Sequence, residues 1–87
     1  MGMKTFTEWL NTDQIGSSIR KWRGMDPNEI KRVLMQAIDL FGRTEAASPG
    51  TLGLAMNIKD ELPAMQSVPA FSKEVMQLDA LIDQMGV

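Results

Sequence analysis

The stretch DPNEIKRVLMQAIDLF, residues 26–41, decides the fold class. Asp26 is a good helix N-cap, Pro27 suits the first helical position, and Glu29 faces the positive end of the helix dipole. Apolar residues then recur three and four positions apart, which is the spacing of one buried helix face. These residues are Ile30, Val33, Leu34, Ala37, Ile38 and Phe41. The pattern predicts an amphipathic helix over residues 27–41 that ends at Gly42.

The segments before this helix carry two shorter helix signals. Thr5 and Glu8 stand in capping-box spacing, which predicts a short helix over about residues 6–11. A second cap at residues 11–13 begins a helix that we expect to end at Gly24, because glycine accepts a left-handed conformation cheaply. Both helices need packing partners, because short helices are only marginally stable in isolation.

The segments after it predict two more helices. A loop over residues 43–50 leads to a Thr51 cap and a helix running to about Leu62. Residues 64–69 form a connector, with room for one helical turn. The last helix begins at a Ser67 or Ser72 cap and ends at Gly86. Its apolar residues are Phe71, Val75, Leu78, Ile82 and Met85, spaced like a two-heptad seam. Docking inside the bundle is the favoured use of this seam, and self-association is the second.

No segment alternates with period two, so no sheet is predicted. The fold class is therefore all-α, a compact bundle of four or five short helices. The chain has 87 residues, of which 44% are hydrophobic, and this length is typical of one small domain. We assign residues 3–87 to a single helical domain and interpret residues 1–2 as a cloning remnant. The core residues expected to be most buried are Ile30, Leu34, Ile38, Phe41, Leu78 and Ile82.

The composition excludes several kinds of chemistry. The chain contains no Cys and no His. It therefore has no cysteine nucleophile, no serine triad of the usual kind, no histidine general base and no zinc site built from Cys and His. Its eleven acidic residues are scattered rather than paired. Residues 50–53 (GTLG) lack the spacing of a phosphate-binding loop. We therefore expect a non-enzymatic protein with no cofactor and no metal.

The same sequence gives an expectation about location. No stretch approaches the ~20 apolar residues needed to span a bilayer, and no basic region precedes an apolar core at the start. We expect no membrane contact and a cytoplasmic protein, in the host cytoplasm or in the virion if a phage encodes it.

Methionine is unusually frequent, with eight residues in the chain. Most are expected to fill the core, but Met35 and Met76 project away from the apolar stripes of their helices. The apolar residues of the fourth helix cover roughly 200° of its circumference, which leaves Leu54 and Ile58 at one edge. We predict that Met35, Leu54, Ile58 and Met76 border a surface for a protein partner or a homodimer. The alternative is that residues 64–69 fold back and cover the fourth helix.

A basic cluster offers a different function. Residues 13–42 resemble a helix-turn-helix in spacing, with the turn at residues 24–26. The candidate nucleic-acid contacts are Arg20, Lys21, Arg23, Asn28, Lys31 and Arg32. Two details disfavour the motif, because Arg20 falls where a small residue is usual and Arg23 where an apolar one is. The net charge of -2 would also weaken binding to phosphates.

The opening MKTFTEWLN, residues 3–11, resembles the start of many small proteins of T-even-like phages. In some of those proteins this start is a head-targeting segment. The resemblance covers about a tenth of the chain, Trp9 departs from the usual Phe or Tyr, and it implies a source rather than any functional residue. The sequence thus favours a small interaction or assembly protein, either a phage protein or a bacterial accessory factor. A nucleic-acid-binding protein is the alternative.

Overall fold

The computed structural model describes residues 11–43 and 49–86. Five α-helices and one 3₁₀ turn follow one another along these residues, and no strand occurs among them. The helices are α1 (Thr12–Arg20), α2 (Pro27–Arg43), α3 (Pro49–Ile58), α4 (Leu62–Met65) and α5 (Ser72–Met85). The predicted all-α fold is therefore confirmed. The predicted helix over residues 6–11, all but its last residue, lies outside the described residues.

Helix α1 begins with a complete capping box. The Asn11 side-chain oxygen accepts the Gln14 backbone N–H at 2.8 Å, and the Gln14 side chain accepts the Asn11 backbone N–H at 3.0 Å. The helix ends at Arg20 rather than continuing to Gly24, because the chain tightens into the 3₁₀ turn Trp22–Gly24. The predicted second helix is thus an α-helix followed by a separate 3₁₀ turn.

Helix α2 follows the sequence closely. The Asp26 carboxylate accepts the Asn28 backbone N–H at 2.9 Å, and its backbone carbonyl accepts the first helical bonds from Glu29 and Ile30. Pro27 is the first helical residue, as predicted. The helix continues through Gly42 to Arg43, two residues beyond the predicted range of 27–41.

Helix α3 begins earlier and ends earlier than predicted. Pro49 is its first residue, where a missing backbone N–H costs nothing, and the predicted cap Thr51 lies inside the helix with 4% exposure. The helix ends at Ile58, and the chain resumes as the one-turn helix α4. Pro63 lies in the first turn of α4 rather than ending a longer helix.

Helix α5 ends as predicted, at Gly86 with a left-handed φ of 78°. Ser72 is its first residue, and Phe71 occupies the cap position without a side-chain hydrogen bond. The heptad seam is used inside the bundle. Phe71, Val75, Leu78 and Ile82 are buried in the core and Met85 is half-buried against it. Self-association through this seam is therefore not supported by its burial.

The core lies where α2 packs against α5 and α1, while α1 also packs against α3 and α4 against α5. Five of the six residues predicted to be most buried are buried, and Ile38 is half-buried against the core. Gly16 allows α1 and α3 to approach closely, because a Cβ there would lie 3.3 Å from Leu54 Cδ1. Within the described residues, no helix combines the length and apolarity that crossing a membrane requires.

Candidate functional site

Met35 is exposed on α2, on the side opposite the core, with 53% of its surface accessible. Four residues lie three and four positions away on the helix: Lys31, Arg32 and Asp39 are exposed, and Ile38 is half-buried. Asp39 also pairs with Arg43 at 2.9 Å. The prediction that Met35 projects away from the apolar stripe of its helix is confirmed. Its side chain lies among charged residues.

Met76 is exposed on α5 in the same way, with 60% of its surface accessible. Lys73 and Asp79, three positions before and after it, are exposed, and so is Ala80. The predicted outward direction of Met76 is confirmed as well. Two helices of the bundle therefore each present one large, flexible apolar side chain among charged residues.

Leu54 and Ile58 do not lie on a surface, and this expectation was wrong. Leu54 is 3% exposed and Ile58 is fully buried. They are core residues because α3 packs against α1 through the side that carries Thr51, Leu54, Ala55 and Ile58. The predicted four-residue surface therefore does not form, because Leu54 and Ile58 face the core.

The residue that α3 presents instead is Met56, with 62% of its surface accessible. Met56 is not among the four surface residues predicted from the sequence. A signal was available, because the small or polar residues Pro49, Gly50, Gly53 and Asn57 fall on one side of the helix and Met56 falls with them. All four are exposed.

Two of the six candidate nucleic-acid contacts are engaged inside the molecule. Arg20 Nη1 donates to the Asn57 carbonyl oxygen at 3.0 Å. The Arg23 guanidinium lies 4.6 Å from the centre of the Trp22 ring, and its Nη1 is 3.5 Å from Glu61 Oε1. The remaining four, Lys21, Asn28, Lys31 and Arg32, are exposed. All six residues are therefore exposed, and Arg20 and Arg23 also make contacts within the molecule.

A junction centred on Trp22 and Glu61 was missed by sequence reasoning. Trp22 Nε1 donates to Glu61 Oε1 at 3.1 Å, and Phe71 meets the Trp22 ring edge-on at 6.1 Å. The 3₁₀ turn is thereby joined to the segment before α4 and to the start of α5. No local pattern could have indicated this contact, because its two partners are 39 residues apart.

Two shallow grooves border α1. One, of about 330 Å³, is lined by Asn11, Asp13, Gln14, Ser17 and Ser18. The other, of about 270 Å³, lies between the starts of α1 and α3. Pockets for drug-sized ligands run from about 300 to 1,000 Å³, so both grooves are at or below the lower end. Among residues 11–43 and 49–86, no three acidic side chains lie close enough together to hold a metal ion.

Comparisons of the chain with protein-family models, with curated proteins and with solved structures found no match.

Proposed function

We propose that the protein is a non-enzymatic interaction or assembly protein that binds a protein partner, as a phage protein or a bacterial accessory factor. One observation carries the proposal. Met35, Met56 and Met76 are each more than half exposed, on the outward sides of α2, α3 and α5. A single exposed apolar side chain would mean nothing, because much of a folded surface is apolar, but here three helices each present one.

The chemistry of methionine supports contact with a protein surface. Its unbranched side chain has three rotatable bonds and a polarizable sulfur, so it adapts to irregular partner surfaces. Protein interfaces are enriched in methionine and combine an apolar centre with a polar rim. Met35 with Lys31, Arg32 and Asp39 has this arrangement on a small scale, as does Met76 with Lys73 and Asp79.

The test uses the chain with all three residues changed to glutamine, written Met35→Gln, Met56→Gln and Met76→Gln. Glutamine keeps the length and helix propensity of methionine, so the variant should fold and melt like the parent. Binding to extracts of candidate hosts is followed by cross-linking and mass spectrometry, and self-association by light scattering. We expect the triple variant to lose a partner that the parent binds reproducibly.

A matched control changes charged residues beside two of the methionines, as Lys31→Gln and Lys73→Gln. Loss of binding in the triple methionine variant alone supports an apolar contact. Equal binding by the parent and the triple methionine variant would refute the role of the methionines.

The exposed basic residues support a second candidate, a nucleic-acid-binding protein that presents the start of α2 to a groove. Asn28, Lys31 and Arg32 are exposed on the first turns of α2, and Lys21 is exposed just before the 3₁₀ turn. A gel shift on mixed DNA at increasing salt tests this function. Phosphate-driven binding must weaken by roughly 0.9 log units per contact for each tenfold rise in salt. Lys31→Ala with Arg32→Ala should abolish such binding.

A further inference from the structure

Sulfur occurs in this chain only as the thioether of methionine, because the sequence contains eight methionines and no cysteine. Cysteine thiolates are the sulfur groups that peroxides oxidise most readily, and methionine thioethers are a second common target. In this chain the methionines are therefore the sulfur groups available to a peroxide. Which of them reacts depends on how far each side chain is open to solvent.

The methionines within residues 11–43 and 49–86 fall into three grades of exposure. The first grade, more than half exposed, has three members: Met35, Met56 and Met76. Met25 and Met85 are half-buried against the core, and Met65 of α4 is fully buried. A buried side chain is reached only when the fold opens locally, so the three exposed methionines should react first and Met65 last.

A cationic side chain lies three positions along the chain from each exposed methionine. The pairs are Arg32 with Met35, Lys59 with Met56 and Lys73 with Met76, and all six residues are exposed. Lys59 lies just past α3 but continues its hydrogen bonding, because its backbone N–H donates to the Ala55 carbonyl oxygen at 3.0 Å. Residues three apart on a helix are neighbours, and Lys and Arg are hydrogen-bond donors. A polar oxygen added to these methionines would therefore have both water and a cationic donor within reach.

We propose that Met35, Met56 and Met76 are modification sites for peroxides, whose oxidation makes these surface positions polar while the fold persists. The sulfur lone pair attacks one peroxide oxygen, the O–O bond breaks and an S–O bond forms. Sulfur loses two electrons to the peroxide, whose second oxygen leaves as water when the peroxide is hydrogen peroxide. At the buried Met65 the same oxygen would be desolvated, which is costly without a hydrogen-bond partner.

The modification is reversible, because thiol-dependent methionine sulfoxide reductases return the sulfoxide to the thioether. It also converts the three apolar side chains of the proposed interaction surface into polar ones. Release of a protein partner on oxidation rests on the proposed function, since it uses the same three residues. The oxidation itself does not depend on a partner.

The first experiment treats the purified full chain with hydrogen peroxide and follows each methionine by peptide mass spectrometry. We expect the three exposed methionines to react at rates close to that of N-acetylmethionine amide. Met65 should react at least roughly tenfold more slowly, because its sulfur requires local opening. In concentrated urea this difference should disappear. Oxidation of Met65 in the folded protein as fast as that of the exposed three would overturn the proposal.

The second experiment measures folding and surface apolarity after oxidation. The oxidised chain should keep its helical circular dichroism signal and a cooperative melt, and it should elute earlier from a phenyl column. The matched control carries Met35→Leu, Met56→Leu and Met76→Leu, which keeps these positions apolar and removes their sulfur. Its retention should change less on peroxide treatment than that of the parent. Unfolding of the oxidised parent, or equal shifts in the two chains, would contradict the proposal.

Partner binding distinguishes a failure of this inference from a failure of the proposed function. Loss of the partner by the oxidised parent, with retention by the peroxide-treated leucine variant, supports release by oxidation. If the triple glutamine variant loses the partner but the oxidised parent keeps it, release by oxidation is refuted and the proposed function stands. If neither loses the partner, the proposed function fails, and the reaction rates and column retention still decide whether these methionines are modification sites.

Discussion

Helices α2 and α3 differ in how strongly their sequences specify which side faces the core. Helix α2 carries charged residues in its first turn, middle and last turn, and all of them are exposed. Helix α3 carries none, and its apolar residues cover roughly 200° of its circumference. The buried side of α2 was predicted correctly, whereas Leu54 and Ile58 of α3 were placed on the wrong side.

The difference shows what charge contributes to a helix in a small bundle. A charged side chain is costly to bury, so it fixes the outward face of α2 whatever the packing partner is. An apolar side chain is tolerated on either face, because much of a folded surface is apolar anyway. The orientation of α3 is therefore decided by its packing against α1, through Gly16 and Leu54, which lie far apart in the sequence.

The largest effect is expected from placing charge on the buried side of α3. The double substitution Leu54→Asp with Ile58→Asp should unfold the protein. Each unpaired buried charge costs several kcal/mol, and small domains have roughly 5–15 kcal/mol of stability in total. Circular dichroism measures the loss. Met56→Asp on the same helix is the control, with a change below about 0.5 kcal/mol. A folded double variant would place these residues on a surface after all.

On α2 the corresponding test is Phe41→Ala. Phe41 is 7% exposed and lies in the core, so the truncation should lower the free energy of unfolding by about 3–5 kcal/mol. Urea denaturation followed by circular dichroism gives the value. Met35→Ala on the exposed side of the same helix should change it by less than about 0.5 kcal/mol. Equal losses in the two variants would contradict the orientation of α2.

The junction of Trp22, which precedes α2, with Glu61, which follows α3, provides a test of intermediate size. Glu61→Ala removes the acceptor of the half-buried Trp22 indole and should cost about 1–3 kcal/mol in unfolding free energy. Glu61→Gln keeps a side-chain oxygen in place and should recover most of the loss. The pair with Arg23 adds little, because the Arg23 side chain is 66% exposed. Equal melting temperatures for Glu61→Ala and Glu61→Gln would show that this hydrogen bond contributes little to stability.

The smallest effects compare two glycines. Gly53→Ala should stabilise α3 by roughly 0.5–1 kcal/mol, because alanine is the better helix former and its Cβ meets no atom within 4 Å. Gly16→Ala should gain nothing or lose stability, because its Cβ would press on Leu54 at 3.3 Å. The melting temperatures of the two variants, compared with that of the parent, test this difference. A stabilised Gly16→Ala variant would show that the Leu54 side chain moves to accommodate the added Cβ at little cost.

The sequence predicted the parts of the fold that local rules determine. The Asp26 cap, the stripe of α2 and the left-handed Gly86 follow from caps and periodicity, and the structure contains all three. The bounds of α3 were missed because Thr51 resembles a cap while Pro49 supplied the actual start. Of the candidate site, Met35 and Met76 were found from their angle on a helix. Met56 could have been found in the same way, from the small and polar residues that share its side of α3. The contacts of Arg20 and Arg23 depend on tertiary packing, which a local pattern does not encode.

The hydrogen bond between Trp22 and Glu61 also has a consequence for the order of folding. It closes a loop of 39 residues, and the Arg20 contact with Asn57 closes one of 37, whereas helix hydrogen bonds close loops of four. Each doubling of loop length adds about 0.6 kcal/mol to the entropic cost of closure. Closing these loops therefore costs about 2 kcal/mol more than closing a local turn. The Trp22 indole should therefore reach its native environment after the helices form. In stopped-flow refolding of a Trp9→Phe chain, its fluorescence should lag behind the helical circular dichroism signal.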